Sequence, residues 1–137
     1  MSLELLTPVD DEVLESFDLL PKQIIGKSII VHTKNSGLPE IKGLNIVLIG
    51  CDEHRNSFFP NTKYKINEFR KSFYKLYPGN WNLNIADLGD LPNGAKVEDT
   101  YFALKEIAYH LKQMNIIVVL IGGSHDLIFP LYKVFQD

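Results

Sequence analysis

Apolar segments and helically spaced apolar positions alternate along most of this chain. Residues 44–49, 83–88 and 116–121 are mainly apolar, and the first and last of these segments are nearly continuous runs. Such runs are typical of strands that are covered on both faces, as in parallel sheets. Between them, apolar side chains recur at helical spacing over residues 64–76 and 97–113. This alternation predicts an α/β fold with a mainly parallel sheet, helices on both faces and right-handed crossovers.

The two ends of the chain extend this pattern. Residues 1–27 form an acidic preamble with a short helix that we expect to end before Pro21. Residues 28–32 predict a short strand at an edge of the sheet, and helically spaced apolar residues after position 126 predict a last helix. We therefore expect one domain over residues 1–137.

Composition narrows the class of protein. With 137 residues, of which 45% are hydrophobic, the chain can bury one modest core. Its 14 basic and 17 acidic residues give a net charge of −3, which argues against a nucleic-acid partner. The single cysteine, Cys51, excludes an internal disulfide and suits a reducing compartment. There is no basic-then-apolar leader, and the apolar run at 116–121 is too short to span a membrane, so we expect a cytoplasmic protein.

Candidate chemistry follows the third predicted strand, where residues 122–126 read Gly-Gly-Ser-His-Asp. Ligands of open parallel sheets bind outside the carboxyl ends of the strands. Because two glycines permit a sharp turn, His125 can project into that cleft as a metal ligand or an acid/base group. The periodicity alone favours a plainer interpretation, in which His125 merely lies near the start of a helix.

A charged loop, Cys-Asp-Glu-His-Arg at residues 51–55, follows the first predicted strand on the same side of the sheet. Glu53 can pair with a cationic amidine, and Arg55 can pair with a substrate carboxylate. Composition favours the alternative of a solvated charged loop. Cys51 is expected to be a buried small side chain rather than a nucleophile, because no spacing designates a partner for it.

Asp87 and Asp90 invite two further interpretations. They can act as paired carboxylates in acid/base chemistry, or they can cap turns around Gly89 and Gly94, and the second interpretation is favoured. His32 and His110 fall on the predicted edge strand and near the end of a helix, where we assign neither a chemical role.

The motif at residues 122–126 resembles the Gly-Gly-Asp-His-Ser motif that ureohydrolases, the arginase, agmatinase and formimidoylglutamase superfamily, carry after their third strand. Residues 46–50 and 85–90 resemble the first strand of that family and its Asp-Leu-Gly-Asp segment. The sequences at residues 53–57 and 77–81 are most similar to those of a formimidoylglutamase-like branch of the family. In that branch the motif after the third strand often reads Gly-Gly-Ser-x-Asp-Leu.

This resemblance implies a fold and an activity. The fold is the N-terminal half of an arginase-like, three-layer α/β sandwich. The activity is hydrolysis of linear amidines, such as formimidoylglutamate or guanidino compounds, by a hydroxide that bridges two Mn²⁺ ions. His125 takes the place of a metal ligand, and Glu53, Arg55 and Asp126 are candidate cleft residues. No residue of this chain is assigned as catalytic.

The rest of that family's metal site is absent from the sequence. Its other ligands come from Asp-Ala-His-x-Asp and Ser-x-Asp-x-Asp motifs, and the 137 residues contain neither. We therefore expect a truncated ureohydrolase domain that is inactive alone and binds Mn²⁺ weakly or not at all. The alternative is a non-catalytic α/β domain that binds a partner or a small ligand.

The resemblance also implies a strand order. In the family's sheet the first strand lies between the second and the third, so the third strand, at residues 116–121, keeps an open edge. An uncharged open edge tends to pair with another chain. We expect the chain to self-associate, unless the last helix shields this strand.

Overall fold

The computed structural model describes residues 2–60 and 66–136, and within these residues it forms one four-stranded sheet. The strands are β1 (Ile30–Val31), β2 (Ile46–Gly50), β3 (Ile85–Asp90) and β4 (Ile117–Ile121), in the order β1-β3-β2-β4. Every pair of neighbouring strands is parallel. The predicted α/β class and parallel sheet are confirmed, with β1 at one edge and β2 between β3 and β4.

Helices precede, connect and follow these strands. They are α1 (Asp11–Glu15), α2 (Ile25–Ser28), α3 (Ile66–Tyr74), α4 (Val97–Gln113) and α5 (Ile128–Lys133), with 3-10 helices at Ser2–Leu5 and His125–Leu127. The bounds of α4 coincide with those of the helix predicted over residues 97–113. The helix predicted over residues 64–76 corresponds to α3, and its first two positions, 64 and 65, lie outside the described residues. Across the part of the chain that the structure describes, no helix has the length and apolar character needed to cross a membrane.

The second predicted strand differs from the structure at its carboxyl end. The apolar segment predicts a strand that ends at residue 88, but β3 continues through Asp90. The reason is a distant partner: Asp90 N–H donates to Thr7 O at 3.0 Å, and Thr7 N–H donates to Asp90 O at 2.8 Å. These two backbone hydrogen bonds extend the strand by pairing it with the N-terminal segment.

Both faces of the sheet carry helices, which makes the domain a three-layer sandwich. On one face α4 packs on β2 and β3 through a core that includes Leu104, Ile107, Leu111, Val47, Ile49 and Leu88. On the other face α3 contributes Ile66 to a cluster with Leu48 and Ile121. The covered strands account for the unbroken apolar runs in the sequence, because such strands bury side chains on both faces.

The crossovers run on opposite faces of the sheet. The chain leaves β2 through α3 to reach the neighbouring β3, and it leaves β3 through α4 to reach β4 on the far side of β2. β2 leads into α3 on one face, and β4 leads into α5, which packs against α4 on the other face. The adjacent strands β2 and β4 therefore lead into connections on opposite faces of the sheet. Loops that diverge in this way open a crevice at the carboxyl end of the sheet, the topological switch point where ligands of such folds bind.

A buried ion cluster holds α3 on β3. Arg70 is fully buried, and its guanidinium donates to Asp87 from Nε (2.8 Å) and Nη2 (2.9 Å) and to Asp90 from Nη1 (2.6 Å). The Tyr74 hydroxyl also donates to Asp87. Burial, together with the charge of Asp87, raises the pKa of Tyr74, so its hydroxyl keeps the proton that it donates.

This cluster decides between the two interpretations of Asp87 and Asp90. Both carboxylates are engaged by Arg70, so they do not form a pair poised for acid/base chemistry. Asp87 also accepts from Gly89 N–H at 3.0 Å, as the turn-capping interpretation expects. His32 is structural as well, since it is buried and its Nδ1 lies 2.8 Å from Leu88 O, which can only accept a hydrogen bond.

Removing the cation of this cluster should be costly. Arg70→Ala leaves Asp87 buried without its charged partner, so we expect the free energy of unfolding to fall by about 3–5 kcal/mol in urea denaturation. The matched control is Lys34→Ala, which removes an exposed ion pair with Asp11. An exposed pair contributes at most about 1 kcal/mol. Equal losses for the two variants would contradict this account of the cluster.

The outer side of β4 is open in the described residues. β4 pairs with β2 on one side and with no described strand on the other. On the face that α3 shares, Ile117 and Val119 remain 62% and 41% exposed. The last helix packs against α4 and does not shield these two side chains. An uncharged edge strand with an exposed apolar face favours pairing with a second copy, because an antiparallel pair about a two-fold axis is self-complementary.

Self-association through this edge stays a prediction, and it can be tested by multi-angle light scattering over a range of concentrations. We expect a dimer or larger species, and we expect Val119→Lys to shift the chain toward monomer, because like charges would meet across the paired strands. Leu19→Lys is the control, since Leu19 is also exposed but lies far from β4 in sequence and outside the sheet. A wild-type chain that is monomeric at every concentration would refute the prediction.

Candidate functional site

A two-glycine turn ends β4 and joins it to the loop that follows β2. Gly122 and Gly123 have φ angles of 83° and 79°, in the left-handed region that glycine adopts without strain. A Cβ on Gly123 would lie 2.9 Å from Cys51 O, closer than side-chain carbons approach. The turn then directs Ser124 N–H onto Glu53 O, at 2.8 Å. Only glycines allow the two loops to approach this closely.

His125 lies directly beyond this turn, where the sequence predicts it. It begins the 3-10 helix His125–Leu127, and its exposed side chain lines an open pocket of about 290 Å³. The other lining residues come from the two joined loops: Asn56, Ser57, Phe58, Ser124 and Asp126. The pocket therefore lies between the carboxyl ends of β2 and β4, at the topological switch point.

Asp126 is held in the pocket wall by hydroxyl groups. The Ser124 hydroxyl donates to its Oδ1, and the Tyr101 hydroxyl, which comes from α4, donates to its Oδ2. Asn56 donates in turn to the Tyr101 oxygen at 3.1 Å. Partial burial and the hydrogen bond to Asp126 raise the pKa of Tyr101, so the phenol remains a donor. Because both of its donors are neutral, Asp126 carries a negative charge that no described cation offsets.

Glu53 and Arg55, the expected cleft residues, instead bind each other. Glu53 is fully buried, and Arg55 Nε donates to its two carboxylate oxygens at 2.8 and 3.2 Å. The remaining Arg55 nitrogens donate to Ala95 O at 3.0 Å and Gly94 O at 2.8 Å. A buried carboxylate requires a charged or hydrogen-bonding partner, and the nearest cation supplies it. Neither side chain lines the pocket with His125.

Sequence reasoning did not single out the residues that complete the pocket. Asn56, Ser57 and Phe58 directly follow the charged segment at 51–55, but nothing in their spacing marks them as pocket residues. Tyr101 falls within the helically spaced apolar positions of residues 97–113, whereas its hydroxyl reaches Asp126. The one available signal was the aromatic pair at positions 58 and 59 in an otherwise polar loop.

The donors at this site do not fit the two manganese ions that the resemblance implies. Within residues 2–60 and 66–136, no three side chains of His, Cys, Asp or Glu are grouped so that they could hold a metal ion. At the pocket, His125 and Asp126 are the one imidazole and the one carboxylate among the lining residues. A two-metal site needs several carboxylates and imidazoles. That this chain binds Mn²⁺ weakly or not at all stays a prediction.

Comparison of the chain with protein-family models, with curated proteins and with solved structures gave no match. The resemblance to ureohydrolases therefore depends on the motifs quoted above and on their order along the chain.

Cys51 belongs to the main core cluster, directly after β2. It is fully buried, and burial is the main reason why the pKa of its thiol is raised to about 12. Glu53, Asp52 and Asp90 act in the same direction through their charges. At neutral pH the group is therefore a protonated thiol, which is a poor nucleophile. This agrees with its expected role as a small buried side chain.

Thiol titration tests this state of Cys51. We expect an aromatic disulfide reagent to modify the native chain very slowly at neutral pH and to modify one thiol per chain rapidly in urea. Because the folded-state pKa is raised, the thiol favours folding fully below its ordinary value of 9.0 and loses that contribution as the pH rises toward about 12. Rapid modification of the folded protein at neutral pH would show that Cys51 is accessible and ionised.

Proposed function

We propose that this chain is a domain of the ureohydrolase lineage whose switch-point pocket binds the cationic head group of a linear amidine or guanidino compound. We propose further that this chain does not hydrolyse that ligand by itself. The observation that carries the proposal is the junction of the β2 and β4 loops, which places Asn56, Ser57 and Phe58 beside His125 and Asp126 in one pocket.

The strand order supports the proposed lineage. The resemblance implies that the first strand of the motif series lies between the second and third, and β2 does lie between β3 and β4. The histidine of the Gly-Gly-Ser-His-Asp motif follows β4 at the carboxyl end of the sheet. Many folds of this class share that end as a binding site, so the order supports the lineage without identifying the substrate.

The charge of the pocket supports a cationic ligand. Asp126 is partly buried, lines the pocket and accepts hydrogen bonds from two neutral hydroxyls, and no described cation forms a salt bridge with it. The other nearby carboxylate, Glu53, is neutralised by Arg55. A planar amidinium carries N–H groups in its plane and can donate two of them to a carboxylate, which makes the hydrogen bond charge-assisted.

The small number of metal-binding side chains at the pocket supports ligand binding rather than ligand hydrolysis. Hydrolysis of an unactivated amidine needs a strong nucleophile and stabilisation of the tetrahedral intermediate. In the ureohydrolases two metal ions supply both, and the described part of this chain does not group three metal-binding side chains. Cys51 cannot replace the metal-bound hydroxide, because its thiol is buried and protonated.

An NMR titration of the ¹⁵N-labelled chain tests this function, with methylguanidinium as the cationic probe and N-methylurea as its neutral counterpart. We expect saturable shifts of the pocket amides with the cation and none with the urea. Asp126→Asn should lower the affinity roughly tenfold or more, because it removes a charge-assisted hydrogen bond. Formimidoylglutamate incubated with the chain and Mn²⁺ should release no formamide.

The matched control is Glu40→Gln, which removes an exposed carboxylate at the opposite end of the sheet, ahead of β2. We expect it to leave the affinity unchanged. Equal affinity for the cation and its neutral counterpart, or equal losses for the two variants, would overturn the proposed site. Release of formamide at a metal-dependent rate would overturn the proposal that the chain does not turn its ligand over.

A second candidate function, a non-catalytic domain that binds a protein partner, is favoured by a different surface. Ile117 and Val119 are exposed on one face of β4, and residues 116–118 of the same segment line an apolar pocket of about 340 Å³ together with Leu131 and Phe135. Exposed apolar surface of this kind is typical of protein contacts. Absence of cation binding, together with self-association that Val119→Lys abolishes, would favour this alternative.

A further inference from the structure

Two adjacent phenylalanines are exposed in the loop after β2, and the first of them, Phe58, lines the switch-point pocket. Phe58 and Phe59 are 92% and 68% exposed, and their rings lie edge to face with centroids 5.2 Å apart. Neither ring belongs to a core cluster, so neither contributes appreciably to folding by burial. Exposed apolar surface that borders a pocket is typical of ligand-binding grooves.

The loop that carries these rings is folded rather than extended. Ser57 N–H donates to His54 O at 2.9 Å, and Phe59 N–H donates to the Ser57 hydroxyl oxygen at 3.2 Å. The preceding Arg55 is bound to Glu53 and to the carbonyls of residues 94 and 95. These hydrogen bonds hold the turn that presents Phe58 to the pocket, where it shares the lining with His125 and Asp126.

We propose that Phe58 is the specificity-determining residue of this pocket and selects planar cations, the amidinium and guanidinium head groups, over tetrahedral ammonium groups. The inference rests on the proposed function of the pocket as a cation site. Phe58 supplies an aromatic face to the flat side of the head group, while Asp126 accepts N–H groups from its edge.

The two contacts together favour a planar cation over a tetrahedral one. The face of an aromatic ring is negative and attracts a cation that lies within about 6 Å of the centroid. A guanidinium stacks on such a face because it is flat and weakly hydrated, and its N–H donors then point outward in the plane toward a carboxylate. An ammonium is compact and strongly hydrated, so it loses more solvation when one side is covered by a ring.

The test compares methylguanidinium with methylammonium on the wild-type chain and on Phe58→Leu, which keeps an apolar side chain but removes the aromatic face. We expect the wild type to prefer methylguanidinium, and we expect Phe58→Leu to lower that affinity by about threefold to tenfold with little change for methylammonium. Phe58→Tyr, which retains the ring face, should keep both the affinity and the preference.

Phe135→Leu is the control, because Phe135 is similarly exposed but lines the apolar pocket beside β4 rather than this one. Urea unfolding of each variant reports whether the fold is intact, and the exposure of Phe58 predicts no change. The inference is overturned if Phe58→Leu retains both affinity and preference while Asp126→Asn still weakens binding. Equal losses in Phe58→Leu and Phe58→Tyr would overturn it too. If the wild-type chain binds neither cation, the proposed function itself fails.

Discussion

The placement of β2 between β3 and β4 is the constraint on which the rest of this domain depends. A crossover on one face carries the chain from β2 to β3, and a crossover on the other face carries it past β2 to β4. This arrangement covers both faces of the central strands with helices, so it accounts for their apolar composition. It also makes the loops after β2 and β4 diverge, and that divergence creates the crevice that holds His125 and Asp126.

Each carboxylate that is buried in the described part of this domain forms a salt bridge with an arginine. Asp87 is bound by Arg70 in the layer between α3 and β3, and Glu53 is bound by Arg55 beside the pocket. Leaving either acid without its cation would be costly at these depths. Asp126 differs because its donors are the neutral hydroxyls of Ser124 and Tyr101.

The periodic elements were predictable from sequence, and the contacts between them were not. Apolar side chains recur at helical spacing in α4 and form a continuous run in β4. Because both patterns reflect burial, they predict where these two elements lie in the sequence. The ion cluster could not be predicted in this way, because Arg70 and Asp87 lie 17 residues apart on different elements and no period links them. Asp90 extends its strand through Thr7, which is 83 residues away in sequence. Tyr101 fits the apolar stripe by pattern, yet its hydroxyl acts in the polar wall of the pocket.

One contact beside the pocket links three separate loops. Arg55 joins Glu53, in the loop after β2, to the carbonyls of residues 94 and 95, which precede α4, and Glu53 O accepts the backbone N–H of Ser124 after β4. Chain segments from three strand ends are thus ordered by one guanidinium and one glutamate before any ligand arrives. Ordering a loop only on binding reduces affinity, because the conformational entropy is lost at that step. In this domain that conformational entropy is lost during folding, so the backbone of the pocket is preorganised. On binding, the exposed side chains that line the pocket are the groups that would still lose rotational freedom.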